Sequence, residues 1–247
     1  MPNIKSFQKK LFANYINDLS LPTKYNYLHG NPAQPVVPLD TAINGVLIIG
    51  AYPSAKFASI GSERDVPVND LSCPFSTDRY FDGSRVRIVN SGIELEEAYL
   101  KPLGLEREQC WITNLVRIFL FKDGHVKKYR RLGCDWPERE TRTKFENYAQ
   151  QGMGWLQEEI SLAKPKVIIT LGAEVAGILQ NVKSRKKRNE LLGGEMKKIE
   201  IGSVVYPVLH FAHPGIVMRK ASERNPWPRR HRDKHIPEAR NALRELI

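Results

Sequence analysis

The sequence predicts an α/β fold in which a parallel sheet is covered on both faces by helices. Three observations lead there. Short apolar runs recur along the chain, each suited to a buried strand: Val46–Ile49 closed by Gly50, Trp111–Asn114, Val167–Leu171 and Val204–Phe211. Segments of helical periodicity separate them, and alternating strands and helices build parallel sheets. A chain of 247 residues with 41% hydrophobic content can bury one sizeable core.

The elements follow in order. Residues 3–18 place Phe7, Leu11, Tyr15 and Ile16 near one face, which predicts a helix. Residues 19–44 are rich in Pro, Asn and Gly and read as an ordered wrap. The first strand follows, then a long polar stretch, Ala55–Asn90, with Pro67, Pro74 and Gly83. Its several aromatics suit a functional loop region better than a linker. A helix over Ile93–Leu103 turns Leu95, Ala98, Tyr99 and Leu103 inward. After the second strand, residues 118–143 form a basic, aromatic-containing insertion.

Phe145–Ala163 reads as a helix using Tyr148, Met153, Trp155, Leu156 and Ile160, and Pro165 ends it. The third strand leads through Gly172 into a short helix, Ala173–Leu179. Pro207 inside the fourth strand predicts a sheet edge or a bulge. Residues 219–235 read as a basic loop. The last helix begins near Pro237, a good first-turn residue, and buries Ala239, Leu243 and Leu246. No internal repeat interrupts this order, so one domain over residues 1–247 is expected.

Composition bounds the partners. The formal net charge is +11, which favours a polyanion through phosphate neutralisation. The charge is clustered. Arg219, Lys220, Arg224, Arg229, Arg230, Arg232 and Lys234 follow the fourth strand with Trp227 among them; Lys127, Lys128, Arg130 and Arg131 lie in the insertion; a third run spans Lys183–Arg188. A charge run is ordinarily a solvated face, but placement beside strand ends favours phosphate contact. DNA is the expected partner, and a monomer is expected. The three cysteines show no CxxC spacing. They suit a reducing cytosol and fall short of the thiolates an ordinary iron–sulfur cluster needs. No apolar run reaches membrane-spanning length and the start is polar, so a soluble cytoplasmic protein is expected, nucleoid-associated if bacterial.

Three strand-like runs end on unusual residues: Tyr52–Pro53, Asn114 and His213. Parallel sheets bind ligands outside the carboxyl ends of their strands, so the three ends are expected on one crevice. Each has a bland and a functional reading. Gly50–Ser54 is either a tight turn or a place where Gly50 admits close backbone approach and Pro53 fixes the exit. Asn114 either caps the next segment or reads the edge of an extruded base with its amide. His213 is either structural or, with Pro214-Gly215 and a basic tract behind it, a stabiliser of charge on a departing base.

These segments together resemble the uracil-DNA glycosylase superfamily. Val46–Ser54 looks like its first motif, and His213-Pro214-Gly215 with Arg219 looks like its second. Ser91-Gly92, Leu95–Leu105 and Trp111–Arg117 resemble the stretch across the second strand in the thermophilic-type, iron–sulfur classes. Trp155, Leu156 and Ile160, followed by Lys164–Gly172, are similar to their third-strand region. The resemblance implies a three-layer α/β/α sandwich around a mostly parallel four-stranded sheet. It implies a DNA base-excision glycosylase that flips and removes a damaged base, uracil first. The alternatives are a non-catalytic nucleic-acid-binding protein on the same fold and a glycosylase for another deaminated base.

Carried over by position, the resemblance makes His213 catalytic. Gly50, Ala51, Tyr52, Pro53 and Asn114 then bind the base, and Phe75 of Cys73-Pro74-Phe75 stacks on it, with Phe81 as a competing alignment. The departures are equally specific. Ala51 and Tyr52 stand where many members carry a polar or acidic residue to position water. That role stays open among Glu63, Asp65, Asp70, Asp78 and Asp82. Ile118 and Gly152 fall where two cluster ligands would sit, so no cofactor and no metal are expected.

Overall fold

The computed structural model describes residues 3–28, 30–56, 68–69, 72–81 and 84–247. Its central sheet is built from β1 (Val46–Gly50), β2 (Cys110–Asn114), β3 (Val167–Leu171), β4 (Lys197–Ile201) and β5 (Val204–Phe211). The spatial order is β2-β1-β3-β5-β4. β2, β1, β3 and β5 run parallel, in the register Gly50↔Asn114, Ile49↔Thr170 and Leu171↔Phe211. Every residue of β1, β2 and β3 is buried, as strands covered on both faces require.

One departure from expectation concerns the sheet. It has five strands among the described residues, because β4 adds an antiparallel edge. The Lys-Lys-Ile-Glu-Ile alternation of β4 buries only Ile199 and Ile201. Pro207 lies in the part of β5 that pairs with β4 alone, before the pairing with β3 begins at Val208. Its missing N–H therefore breaks no inner ladder.

Alternation along the strands sorts the two cores. Leu47, Ile49, Trp111 and Ile168 face α1 (Ile4–Asn14) and the helix pair α4 (Phe145–Gln151) and α5 (Met153–Ala163). Val46, Ile48, Ile112, Ile169 and Leu209 face the opposite layer. That layer holds α2 (Asn90–Leu95), continued by a π turn and a last turn to Leu103, and the C-terminal helix. The result is helix, sheet, helix. The basic stretch expected as a loop over 219–235 is helical from Trp227 onward: α9 (Trp227–Arg230) runs through a π turn into α10 (Ile236–Arg244). Its inner stripe includes His231 and His235, both buried.

The insertion is packed rather than trailing. Its helix α3 (Asp123–Arg131) buries Val126 and Tyr129. The wrap holds it: the Tyr25 hydroxyl donates to the Phe119 carbonyl at 2.6 Å, and the Trp136 indole N–H donates to the Tyr27 carbonyl at 2.8 Å. Among the described residues no helix is long and apolar enough to cross a membrane.

Candidate active site

The parallel strands all end at one edge, and a cleft of about 680 Å³ opens there. The turn after β1 gives it Ala51, Tyr52 and Ser54; the end of β3 gives Leu171 and Gly172; the segment after β5 gives His213 and Ile216. The insertion closes another side with Phe119, Lys122, His125 and Arg142. Glu174, on the first turn of α6 (Ala173–Leu179), also faces it. So do Glu146 of α4 and Arg188 of α7 (Arg185–Glu190).

His213 precedes the short helix α8 (Pro214–Val217), and its Nδ1 accepts the Gly215 N–H at 3.1 Å. A neutral imidazole accepts at one nitrogen and carries its proton on the other. The proton is thereby assigned to Nε2. Burial by the surrounding protein pushes the His213 pKa down although the ring reaches the cleft. Arg142 and Arg219 add to that, and Glu174 opposes it. A neutral ring with a fixed Nε2–H donor can stabilise an oxygen that gains negative charge without itself losing a proton.

Tyr52 is held from the insertion. Its ring meets Phe145 edge-on at 5.4 Å, and Arg142 both stacks over the ring and donates to the hydroxyl. Pro53 is buried behind the turn. Gly50 marks a close approach: a Cβ there would stand 2.4 Å from Asn114 Oδ1 and 2.6 Å from the Phe75 ring. Asn114, Gly50 and Phe75 therefore form one packed group at the sheet edge. Neither Asn114 nor Phe75 lines the cleft itself. Asn114 is buried, and its Nδ2 has no hydrogen-bond partner.

Phe75 has a left-handed backbone, φ 56°, and its carbonyl accepts from Arg107 at 2.7 Å. Arg107 is in turn held by Asp40 and Glu96. Gly92 lies under this turn, where a Cβ would come within 2.4 Å of the Ser76 carbonyl. Phe81, the competing aromatic, is exposed on the hairpin of Arg79–Phe81 with Val86–Ile88. Asp78 closes its own loop by accepting from the Ser72 N–H and hydroxyl, which lowers its pKa. Glu63, Asp65, Asp70 and Asp82 lie outside the described residues.

A family model described as the uracil DNA glycosylase superfamily matches residues 43–236. The chain belongs to this superfamily. No curated protein matches it significantly. Membership supports a DNA-glycosylase-type function, since the family acts on DNA.

The chemistry present does not suit the iron–sulfur cluster of this superfamily's thermophilic-type classes. Ile118 is fully buried, and Gly152 packs against the Tyr15 hydroxyl, 3.0 Å from where a Cβ would stand. Cys73, Cys110 and Cys134 are buried thiols. Burial pushes the Cys110 thiol up to about 12, and its Sγ donates to the Glu106 carbonyl. Among the described residues no three His, Cys, Asp or Glu side chains gather to hold an ion.

The basic tract of this glycosylase-family chain is exposed at Arg219, Lys220, Arg224, Arg229, Arg230 and Arg232. Arg230 stacks over Trp227 at 6.0 Å, and Arg232 pairs with the adjacent Asp233. Arg219 is close enough to act on His213, which puts the start of the tract at the cleft. Sequence reasoning missed Lys122, His125, Arg142, Glu146 and Glu174, and named Arg188 only as the end of a basic run. Only Glu174 carried a signal: it sits two residues beyond the Gly172 that ends β3.

Proposed function

We propose that the protein is a DNA base-excision glycosylase that extrudes a deaminated base, uracil first, and hydrolyses its bond to deoxyribose. The observation that carries this reading is His213: neutral, with its donor fixed by the Gly215 contact, in a cleft at the sheet edge of a superfamily member. Its Nε2–H meets the carbonyl oxygen of the leaving base as charge builds there, so its contribution is larger in the transition state than in the bound substrate.

The base enters beside the Gly50–Tyr52 turn. The unpartnered Nδ2 of Asn114 supports a reading role, because buried amides are ordinarily hydrogen-bonded. A uracil carbonyl that reaches past the Ala51–Tyr52 turn satisfies that donor, and there the Phe75 ring beside Gly50 supplies an aromatic face. Ala51, Tyr52 and buried Pro53 shape the approach. Arg219, Lys220, Arg224, Arg229 and Arg230 hold the strand by its phosphates. Arg232 adds a weaker contact, because Asp233 already engages it.

The test is release of free base from oligonucleotides carrying uracil, hypoxanthine or xanthine, single- and double-stranded. Release of uracil supports the reading, and release of a purine alone moves the substrate to another deaminated base. Tight binding of every oligonucleotide with no release of any base establishes the non-catalytic alternative.

A further inference from the structure

Hydrolysing an N-glycosidic bond requires a water against the anomeric carbon and a group that takes its proton. The turn after β1 offers Ala51 and Tyr52, neither of them a carboxylate. Two carboxylates line the cleft, Glu146 and Glu174. Glu146 is engaged by Arg188 at 2.9 Å. Glu174 is exposed and has no hydrogen-bond or ion-pair partner among the described residues.

Its placement is specific. Gly172 ends β3 with φ +112°, and Glu174 Oε2 lies 3.8 Å from where a Cβ on that glycine would stand. The carboxylate thus folds back over the sheet edge. It shares the cleft with His213 and acts on its proton affinity from there. The other charged or titratable side chains lining the cleft are Tyr52, Lys122, His125, Arg142 and the Arg188–Glu146 pair. Glu174 is therefore the carboxylate left free in the cleft that holds the one neutral donor histidine on the second motif.

We propose that Glu174 holds the attacking water and takes its proton, an assignment that rests on the glycosylase reading. The water oxygen bonds to the anomeric carbon as the bond from that carbon to the base nitrogen breaks. The pair of electrons from the broken bond leaves with the base. The water's proton passes to a Glu174 carboxylate oxygen. His213 Nε2–H donates a hydrogen bond to the base oxygen on which charge develops, and the freed base takes a proton from solvent. The products are an abasic sugar hydroxyl and the neutral base.

Single-turnover excision from a uracil-containing single strand tests this, comparing wild type, Glu174→Gln and Glu174→Asp. Glu174→Gln should lower the rate by about 10²–10⁴-fold. Glu174→Asp, which keeps a carboxylate, should recover part of that loss. Affinity for an abasic oligonucleotide, measured alongside, should be unchanged in both, which shows that the variants are folded. A Glu174→Gln protein that matches wild type overturns the assignment. So does a Glu174→Asp protein that is no faster than Glu174→Gln. Absence of release by wild type from any of the three deaminated bases overturns the glycosylase reading itself, and with it any attacking water for Glu174 to hold.

Discussion

His210 and His213 stand three positions apart on one strand end and show how place decides role. His210 is buried inside the sheet, 2.7 Å from the Thr170 hydroxyl and 3.1 Å from Gln180 Nε2. Burial, with a smaller push from Lys197, takes its pKa from 6.5 to about 4. The unfolded chain then binds a proton that the folded chain refuses between those values. The stability contribution is present above about pH 6.5 and is lost as pH falls toward about 4, amounting to about 3 kcal/mol over the window. Urea unfolding at the two ends of that window should show a drop for wild type that shrinks by about this amount in His210→Gln. An identical drop in both proteins would mean that this histidine is not held neutral. His213 has its pKa depressed in the same direction, but its free nitrogen faces a cleft rather than a threonine.

At the scale of elements, β2 is anchored by charge as well as by its apolar run. Arg117 follows the strand and is fully buried with Glu159 of α5. The Trp111 indole N–H donates to the other Glu159 oxygen at 2.7 Å, and the Tyr15 hydroxyl accepts the Arg117 backbone N–H at 3.1 Å. Removing one partner of such a pair leaves an uncompensated buried charge, typically about 3–5 kcal/mol. Glu159→Ala should lose that much in denaturant unfolding, and a loss below about 1 kcal/mol would show that Arg117 finds water or another partner. The parallel strands were legible because a strand buried on both faces must be a continuous apolar run. β4 was not, because Lys-Lys-Ile-Glu-Ile at an exposed edge reads as a polar loop. The helix from Trp227 was hidden by Pro226 and Pro228, which read as loop although proline fits a first turn. Its buried stripe uses histidine: His231 Nε2 bonds the Ala98 carbonyl at 2.6 Å, and its ring meets Tyr99 at 4.8 Å. Hydropathy does not see such a stripe. The turns after β1 and β5 that line the cleft stand at the ends of apolar runs, whereas Arg142 on Tyr52 is a contact across the insertion that no local pattern encodes.

Over the whole molecule, a net charge of +11 is distributed so that the exposed tract begins at the cleft with Arg219 and continues to Lys234. Neutralising phosphates releases counterions, with a salt slope of about −0.9 per phosphate on duplex and about −0.7 on single strands. Replacing Arg229 and Arg230 by Ala should flatten the measured slope by roughly one unit for each phosphate that the variant no longer neutralises. An unchanged slope and affinity would place this tract away from the nucleic acid. Affinity and catalysis are thus assigned to different residues, the exposed cations and the neutral imidazole. The most direct measurement is single-turnover uracil release beside equilibrium binding, for wild type and His213→Ala. The account predicts that the variant binds the oligonucleotide as wild type does and releases base about 10²–10³-fold more slowly, the usual consequence of losing a donor aimed at developing charge. Release at the wild-type rate by His213→Ala would contradict it.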